Sequence, residues 1–219
     1  MTVADCAVTG GVGPRALVLV LATANPDKAR EIEAIVSEAA GAAIELRPRP
    51  ASVPEVDETG ATLEDNARLK ARALTEATGL AAVADDTGLE VEALGGVPGV
   101  HSARFAGPDA SYADNVAKLL GALDAAGAGD PAARRARFRT VAVARFPDGT
   151  EVVGYGEIEG YIAEAARGGG GFGYDPVFVP DGGGGSSYAE MSLSEKAALS
   201  HRGAAFRSLA ASLLSRSAG

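Results

Sequence analysis

Residues 16–22 (ALVLVLA) form an unbroken aliphatic run that halts at Thr-Ala-Asn-Pro-Asp-Lys. A strand that is apolar at every position has no solvent face, so it belongs in the middle of a sheet covered on both sides. The polar turn then opens into residues 29–40, where Ile32, Ile35, Val36 and Ala39 recur at helical spacing. A strand, a polar turn and a helix in that order predict an α/β chain.

The remaining pattern extends this reading. Arg47-Pro48-Arg49-Pro50 through Pro54 is a connector, after which Thr62 with Asp65 three residues on marks a helix start, Asp standing in for the usual Glu or Gln. That helix runs to about Thr78 and stops at Gly79. Residues 80–84 read as a strand, Asp85-Asp86-Thr87-Gly88 as a tight turn, residues 89–94 as a further extended piece, and residues 112–123 as a helix. Residues 140–146 and 151–155 flank Pro147-Asp148-Gly149 as a hairpin. Hairpins and crossovers together predict an α/β fold with a mixed sheet, in two lobes around a groove. Residues 125–133 and 182–187 are low-complexity loops, and residues 1–14 are an extension that folding can dispense with, leaving one domain over 15–219.

Composition excludes several functions. With 219 residues the chain buries a core without staples, and its single cysteine, Cys6, forms neither an internal disulfide nor a zinc site. Lys+Arg 20 against Asp+Glu 29 leaves a net charge of −9, which disfavours nucleic acid as a partner. No apolar run approaches the ~20 residues needed to span a bilayer, and no secretory leader pattern is present, so the expectation is a soluble cytoplasmic protein.

Five places carry chemistry. Thr23, Ala24, Asn25, Pro26, Asp27 and Lys28, at the carboxyl end of a strand and the start of a helix, read either as a phosphate pocket or as a capped helix with a surface lysine. Asn66 and Lys70, four apart, share one helical face, with Glu58 ahead of them. The adjacent Asp85 and Asp86 repel each other, which is tolerable if Mg²⁺ sits between them or one turns to solvent; the alternative is an acidic turn. Phe172, Gly173, Tyr174 and Asp175 follow a run of four glycines and read as a platform for a flat ring, or as a loop plugged by Phe172. Ser192 with Glu195 is a capping box that opens a helix bearing Lys196, followed by His201 and Arg202. In one unbroken helix Lys196 and His201 point about 140° apart, so service to one site requires a break near Ser200. Lys, His⁺ and Arg donate to carbonyl oxygens and not to exocyclic amines, which would favour 6-oxo purines over adenine.

In this order, TANPDK, ETGATLEDNARLKA, ADDTGLEVEALGGVPGVHSARFAG, GGGGFGYDPVF and AEMSLSEKAALSHRGAA resemble the inosine triphosphate pyrophosphatase family. The resemblance implies a long mixed β-sheet flanked by helices around a nucleotide-binding groove. It also implies a Mg²⁺-dependent homodimer that hydrolyses ITP, dITP and XTP to the monophosphate and pyrophosphate. Under it, Thr23 to Lys28 hold phosphates with Thr87 nearby, Lys70 contacts the polyphosphate, and Glu58 and Asp86 handle Mg²⁺, Asp86 also accepting the proton of water. Phe172 stacks on the base, Gly173, Tyr174 and Asp175 adjoin it, and Lys196, His201 and Arg202 read its oxygens. Catalysis falls to Asp86, Lys28 and Lys70.

Overall fold

A computed structural model describes residues 16–217; the extension over residues 1–14 and Cys6 lie outside the described residues. The aliphatic run is β1 (Leu17–Leu21), followed by α1 (Pro26–Ala40), β2 (Ile44–Arg47), α2 (Leu63–Thr78), β3 (Ala82–Val91) and β4 (Pro98–Gly99). Then come α3 (Tyr112–Ala125), β5 (Arg135–Arg145), β6 (Glu151–Ile162), β7 (Phe178–Pro180), α4 (Leu193–Leu199) and α5 (His201–Ser217). The sheet is seven-stranded in the order β2-β1-β3-β5-β6-β7, with β4 added beside β3. β1 runs parallel to both its neighbours, and the other pairings are antiparallel. The mixed sheet expected from the sequence is present, and β1 lies inside it.

Local chemistry sets the helix ends. Thr62 and Asp65 form a complete reciprocal capping box, so Asp closes the box as Glu would, and Gly79 takes a left-handed conformation at φ 67° to end α2. Ser192 and Glu195 cap α4 in the same way, and Ser200, extended at φ −86° and ψ 151°, separates α4 from α5. The break at Ser200 is the one that the Lys196/His201 geometry required.

Two apolar cores sit at opposite ends of the long strands. One gathers Leu19, Leu21, Ile32, Ile35, Val83, Phe206 and Leu209 from β1, α1, β3 and α5. The other gathers Leu89, Val91, Leu119, Leu123, Phe138 and Phe178 from the far end of β3, α3, β5 and β7. A third cluster, with Leu63, Ala67 and Ala71 of α2 on Ala84 and Val143, covers the other sheet face. The polar stretch Asp85–Gly88 occupies β3 where one core gives way to the next, so the seam between the two lobes carries the charge.

Two expectations are corrected here. Asp85-Asp86-Thr87-Gly88 is no turn: it runs straight through β3, each residue paired with β5, from Asp85 opposite Ala142 to Gly88 opposite Arg139. The hairpin strands are also longer than the apolar pattern showed, because Arg135, Arg137, Glu157 and Glu159 pair across their exposed portions with Asp181, Glu90 and one another.

α5 lies directly on β6 because β6 offers glycines there. A Cβ on Gly156 would overlap the His201 carbonyl oxygen and stand 2.5 Å from the Ala205 nitrogen, both backbone atoms that cannot swing away. Gly156→Ala is expected to lower stability by about 3 kcal/mol, through forced separation of helix and sheet. Urea unfolding checks this, as a lower midpoint at unchanged slope.

Candidate functional site

Alternation along β3 sends Asp85 and Asp86 to opposite faces of the sheet. Asp85 shares the Val83 face with α1 and α5, and Asp86 shares the Ala84 face with α2. Both are buried. Neither sequence-based option for the pair holds, since no ion can lie between side chains on opposite faces and neither carboxylate turns to solvent. Each finds its own cations instead.

On the α2 face, Lys70 Nζ bridges Glu58 Oε1 at 2.8 Å and Asp86 Oδ1 at 3.0 Å. Asn66, one helical turn before Lys70, donates to Asp86 Oδ2 at 3.1 Å and accepts the Gly60 N–H at 2.7 Å, which ties the Glu58 loop to the helix. Arg104 completes the clamp, with Nη1 3.3 Å from Glu58 Oε2 and Nη2 donating to the Glu58 carbonyl at 3.1 Å. Among the neighbouring acids of that loop, Glu58 is the one drawn to Lys70; Glu55 instead faces Arg49 at 3.5 Å. Burial, then the negative Glu58, raise the Asp86 carboxyl above its ordinary range even though Lys70 opposes them. Burial also works against charge on Glu58, but Lys70, Lys28 and Arg104 outweigh it and hold that group low.

Among the described residues no group of three or more His, Cys, Asp or Glu gathers as a metal cage. Glu58 and Asp86 nonetheless both line the central cleft and already share a cation, the Lys70 ammonium. One or two carboxylates, completed by substrate phosphates, are the donor set that Mg²⁺ takes in phosphoryl-transfer sites, so these residues fit it.

On the α1/α5 face, Lys28 Nζ meets Asp85 Oδ1 at 2.9 Å, while Arg202 reaches Asp85 Oδ2 from Nε at 3.3 Å, Glu31 Oε2 from Nη1 at 2.6 Å and Thr87 Oγ1 from Nη2 at 3.3 Å. Burial pushes the Asp85 carboxyl up, but Lys28, Arg202 and Lys70 pull it to about 2. A carboxyl held from 3.8 down to about 2 contributes its full share of stability above its unfolded pKa and loses that share as pH falls towards 2. The share is about 2 kcal/mol. The stability difference between the native protein and Asp85→Asn should therefore shrink by that amount between pH 4 and pH 2 in unfolding titrations, and a difference flat across the window would contradict the assignment.

The β1–α1 turn behaves as a capped helix start. Asn25 Oδ1 accepts from the N–H groups of Asp27 and Lys28 at 2.9 and 3.1 Å, so the amides expected to be free for a phosphate are already bonded. Thr23, Ala24, Asn25 and Lys28 line the cleft; Pro26 and Asp27 do not. Asp27 pairs with Arg30 at the surface.

At the other end, Asp175 Oδ2 accepts the Phe172 N–H at 2.7 Å and closes a small turn, for which Gly171 at φ 70° and Gly173 at φ 62° supply left-handed backbone. Tyr174 is buried and donates from its hydroxyl to the Ser102 carbonyl at 2.8 Å. Lys196, expected at the base, stands with Nζ 4.9 Å from the centroid of the Phe172 ring, where it pairs with Glu31 and, at 2.5 Å, with Asp175. His201 does line it, stacked on Phe138 at 4.4 Å, with a buried Nδ1 that has no partner among the described residues. Burial, then Arg202, Lys196 and Lys28, drive its pKa well below the ordinary value, so it is neutral and not the His⁺ donor of the sequence argument. The glycine-framed loop, β3 and the Glu58 loop thus border one cleft of about 630 Å³, a size that suits a nucleotide.

Glu31, Arg104 and Tyr112 were not legible as site residues. Glu31 had a signal, an acid flanking Ile32 on the buried face of α1, whereas Arg104 and Tyr112 had none.

A model of the Ham1 family matches residues 19–212 of the chain. The chain is 48% identical over 204 residues to a dITP/XTP pyrophosphatase of Methylococcus capsulatus, covering 92% of this chain and 98% of that protein. It is 46% identical over 196 residues to one of Thermus thermophilus, covering 89% and 91%. The solved structure of a HAM1 protein from Coxiella burnetii aligns with a TM-score of 0.80 at 39% identity, over 91% of this chain and 99% of that one. Every loop and strand that borders the cleft falls within the matched span, and with coverage near complete in both directions the chain belongs to the Ham1 family.

Proposed function

We propose that this chain is a Mg²⁺-dependent nucleoside triphosphate pyrophosphohydrolase that converts dITP, ITP and XTP to the monophosphate and pyrophosphate, clearing deaminated purines from the nucleotide pool. The observation that carries the reading is the convergence on one cleft of a cation-bridged carboxylate pair, Glu58 and Asp86, and an aromatic turn at Phe172. The names of the relatives, dITP/XTP pyrophosphatase in both Methylococcus and Thermus, support the same reaction. The resemblance extends it to a homodimer acting in the cytoplasm; no helix among the described residues is long and apolar enough to cross a membrane.

Glu58 and Asp86 would hold Mg²⁺, which supplies charge neutralisation at phosphoryl oxygens. Asp86, whose raised pKa suits a proton acceptor, takes the proton of the attacking water. The water oxygen bonds to phosphorus at the α,β-anhydride; the bridging bond breaks and its electron pair leaves with pyrophosphate. Lys70 and Lys28 lie on the two sides of β3 and stabilise the charge that develops there. Burial keeps the Lys28 ammonium below its usual pKa, with Lys70 and Arg202 adding to the effect against Asp85, so a phosphate that approaches it relieves a strained charge.

Base selection rests on His201, Asp175 and the Phe172 ring, with Lys196 and Arg202 standing over that ring at 4.9 and 5.4 Å from its centroid. A panel of dITP, XTP, dATP and dGTP tests it. Values of kcat/KM for dITP and XTP about 100-fold above those for dATP and dGTP are expected, lost with EDTA and restored by Mg²⁺. Equal rates across the panel would remove the keto-purine assignment.

A further inference from the structure

Four aromatic residues line the cleft: Tyr112, Phe138, Phe172 and Tyr174. Phe138 is already stacked on His201 at 4.4 Å and packed edge-on to Phe178 at 4.7 Å. Tyr174 is buried and bonded to Ser102. That leaves Tyr112 and Phe172, the latter with Lys196 Nζ and the Arg202 guanidinium 4.9 and 5.4 Å from its ring centroid but with no ring among the described residues packed on it except Tyr112, the two centroids standing 6.0 Å apart at 41°.

Tyr112 is placed to act across the cleft. It is the first residue of α3, where the Ser111/Asp114 capping box fixes the backbone and Val116, Leu119 and Leu123 root the helix in the second core. Its hydroxyl accepts from Asn25 Nδ2 at 2.6 Å, on the β1–α1 turn that belongs to the first core. The side chain thus spans from one lobe to the other while remaining 46% exposed, free of core packing that would lock it.

Two rings that hold a flat base between them need about 7 Å, twice the ~3.5 Å contact distance between carbon atoms. The observed gap falls short of that by about 1 Å, a movement within reach of a half-exposed side chain. We propose that Tyr112 is a substrate-binding residue that stacks on the face of the purine opposite Phe172, with Asn25 orienting the ring. The inference rests on the reading of Phe172 as the base platform and adds the second wall of the slot.

The test titrates inosine monophosphate, which carries the base and is not turned over, into Tyr112→Ala, Tyr112→Phe and Phe172→Ala, and follows dITP hydrolysis in the Tyr112 variants. Base stacking on an aromatic side chain accounts for roughly tenfold or more in affinity. Tyr112→Ala is expected to weaken inosine monophosphate about tenfold and to raise KM for dITP more than it lowers kcat, and Tyr112→Phe to restore affinity to within about threefold. The chain has no tryptophan, so Tyr112→Trp places a lone indole at the slot whose fluorescence should be quenched by the bound purine. Unchanged affinity in Tyr112→Ala beside a clear loss in Phe172→Ala would overturn the proposal and leave the platform intact. A Tyr112→Phe variant as weak as Tyr112→Ala would overturn stacking in favour of the hydroxyl, and no loss in Phe172→Ala would remove the platform and this inference with it.

Discussion

Asp86→Asn is expected to lower kcat on dITP about 1,000-fold while binding of inosine monophosphate stays within a few-fold of the native value. The loss combines removal of the proposed proton acceptor with removal of one of two carboxylates that would hold Mg²⁺, and general-base removal alone accounts for about 10²–10⁴. The fold should not suffer. Burial and Glu58 already work against charge on Asp86, and the isosteric amide keeps an oxygen for Asn66 or Lys70 while Lys70 retains Glu58 at 2.8 Å. A group whose pKa is raised in the folded state opposes folding when charged at neutral pH, so a neutral substitute leaves the melting temperature unchanged or slightly higher. Retention of more than a tenth of kcat would take the proton-acceptor role away from Asp86, and a large fall in melting temperature would mean that the carboxylate is structural.

Arg202→Met is expected to act in the opposite way, chiefly on stability, at about 3–5 kcal/mol. Arg202 is buried between Glu31 and Asp85, which are themselves buried, and it also holds Thr87. Methionine fills similar volume but leaves Glu31 with Lys196 alone and Asp85 with Lys28 alone, each short of compensating charge in a dry setting. Glu31→Gln added to Arg202→Met should recover part of the loss, because it removes one of the two stranded charges. Denaturant titration of the two variants measures both effects; a cost below 1 kcal/mol would show that water reaches this network. Three of the guanidinium nitrogens are already bonded to Asp85, Glu31 and Thr87. Any effect of Arg202→Met on base preference therefore has to be read after its effect on stability has been subtracted.

The elements most legible in the sequence were those specified locally. β1 declared itself by continuous apolarity, α2 by the Thr62 cap and Gly79, and the α4–α5 break by the incompatible directions of Lys196 and His201. The least legible were those specified by partners far away. Asp-Asp-Thr-Gly has the composition of a turn, yet it is held extended by ten successive residue pairings between β3 and β5, from Ala82 opposite Arg145 to Val91 opposite Ala136. Its two charges are neutralised from α1 and α5 on one face and from α2 on the other. A short edge strand such as β2 carries too few residues to show a period, and β7 gains its strand character only from pairing with β6.

The same division runs through the site. Asp86, Lys70 and Phe172 were identifiable because their residue types are unusual in their setting: adjacent acids after an apolar run, a lysine and asparagine on one helical face, an aromatic among glycines; Glu58, among three acids of one loop, came only from the family resemblance. Spacing shows the direction of Lys196 but not its depth: it stands 4.9 Å from the centroid of the Phe172 ring and is also the buried countercharge of Glu31 and Asp175. Arg104 could not be found at all, since its partner Glu58 is 46 positions away.

The most direct measurement is the identity of the phosphorus products released from dITP, with pyrophosphate and orthophosphate detected separately in one reaction. One pyrophosphate for each dIMP formed and no orthophosphate is the result expected from the proposed action of the carboxylate pair and the two lysines at a single anhydride. Orthophosphate with dIDP, or stepwise release of two orthophosphates, would contradict the account.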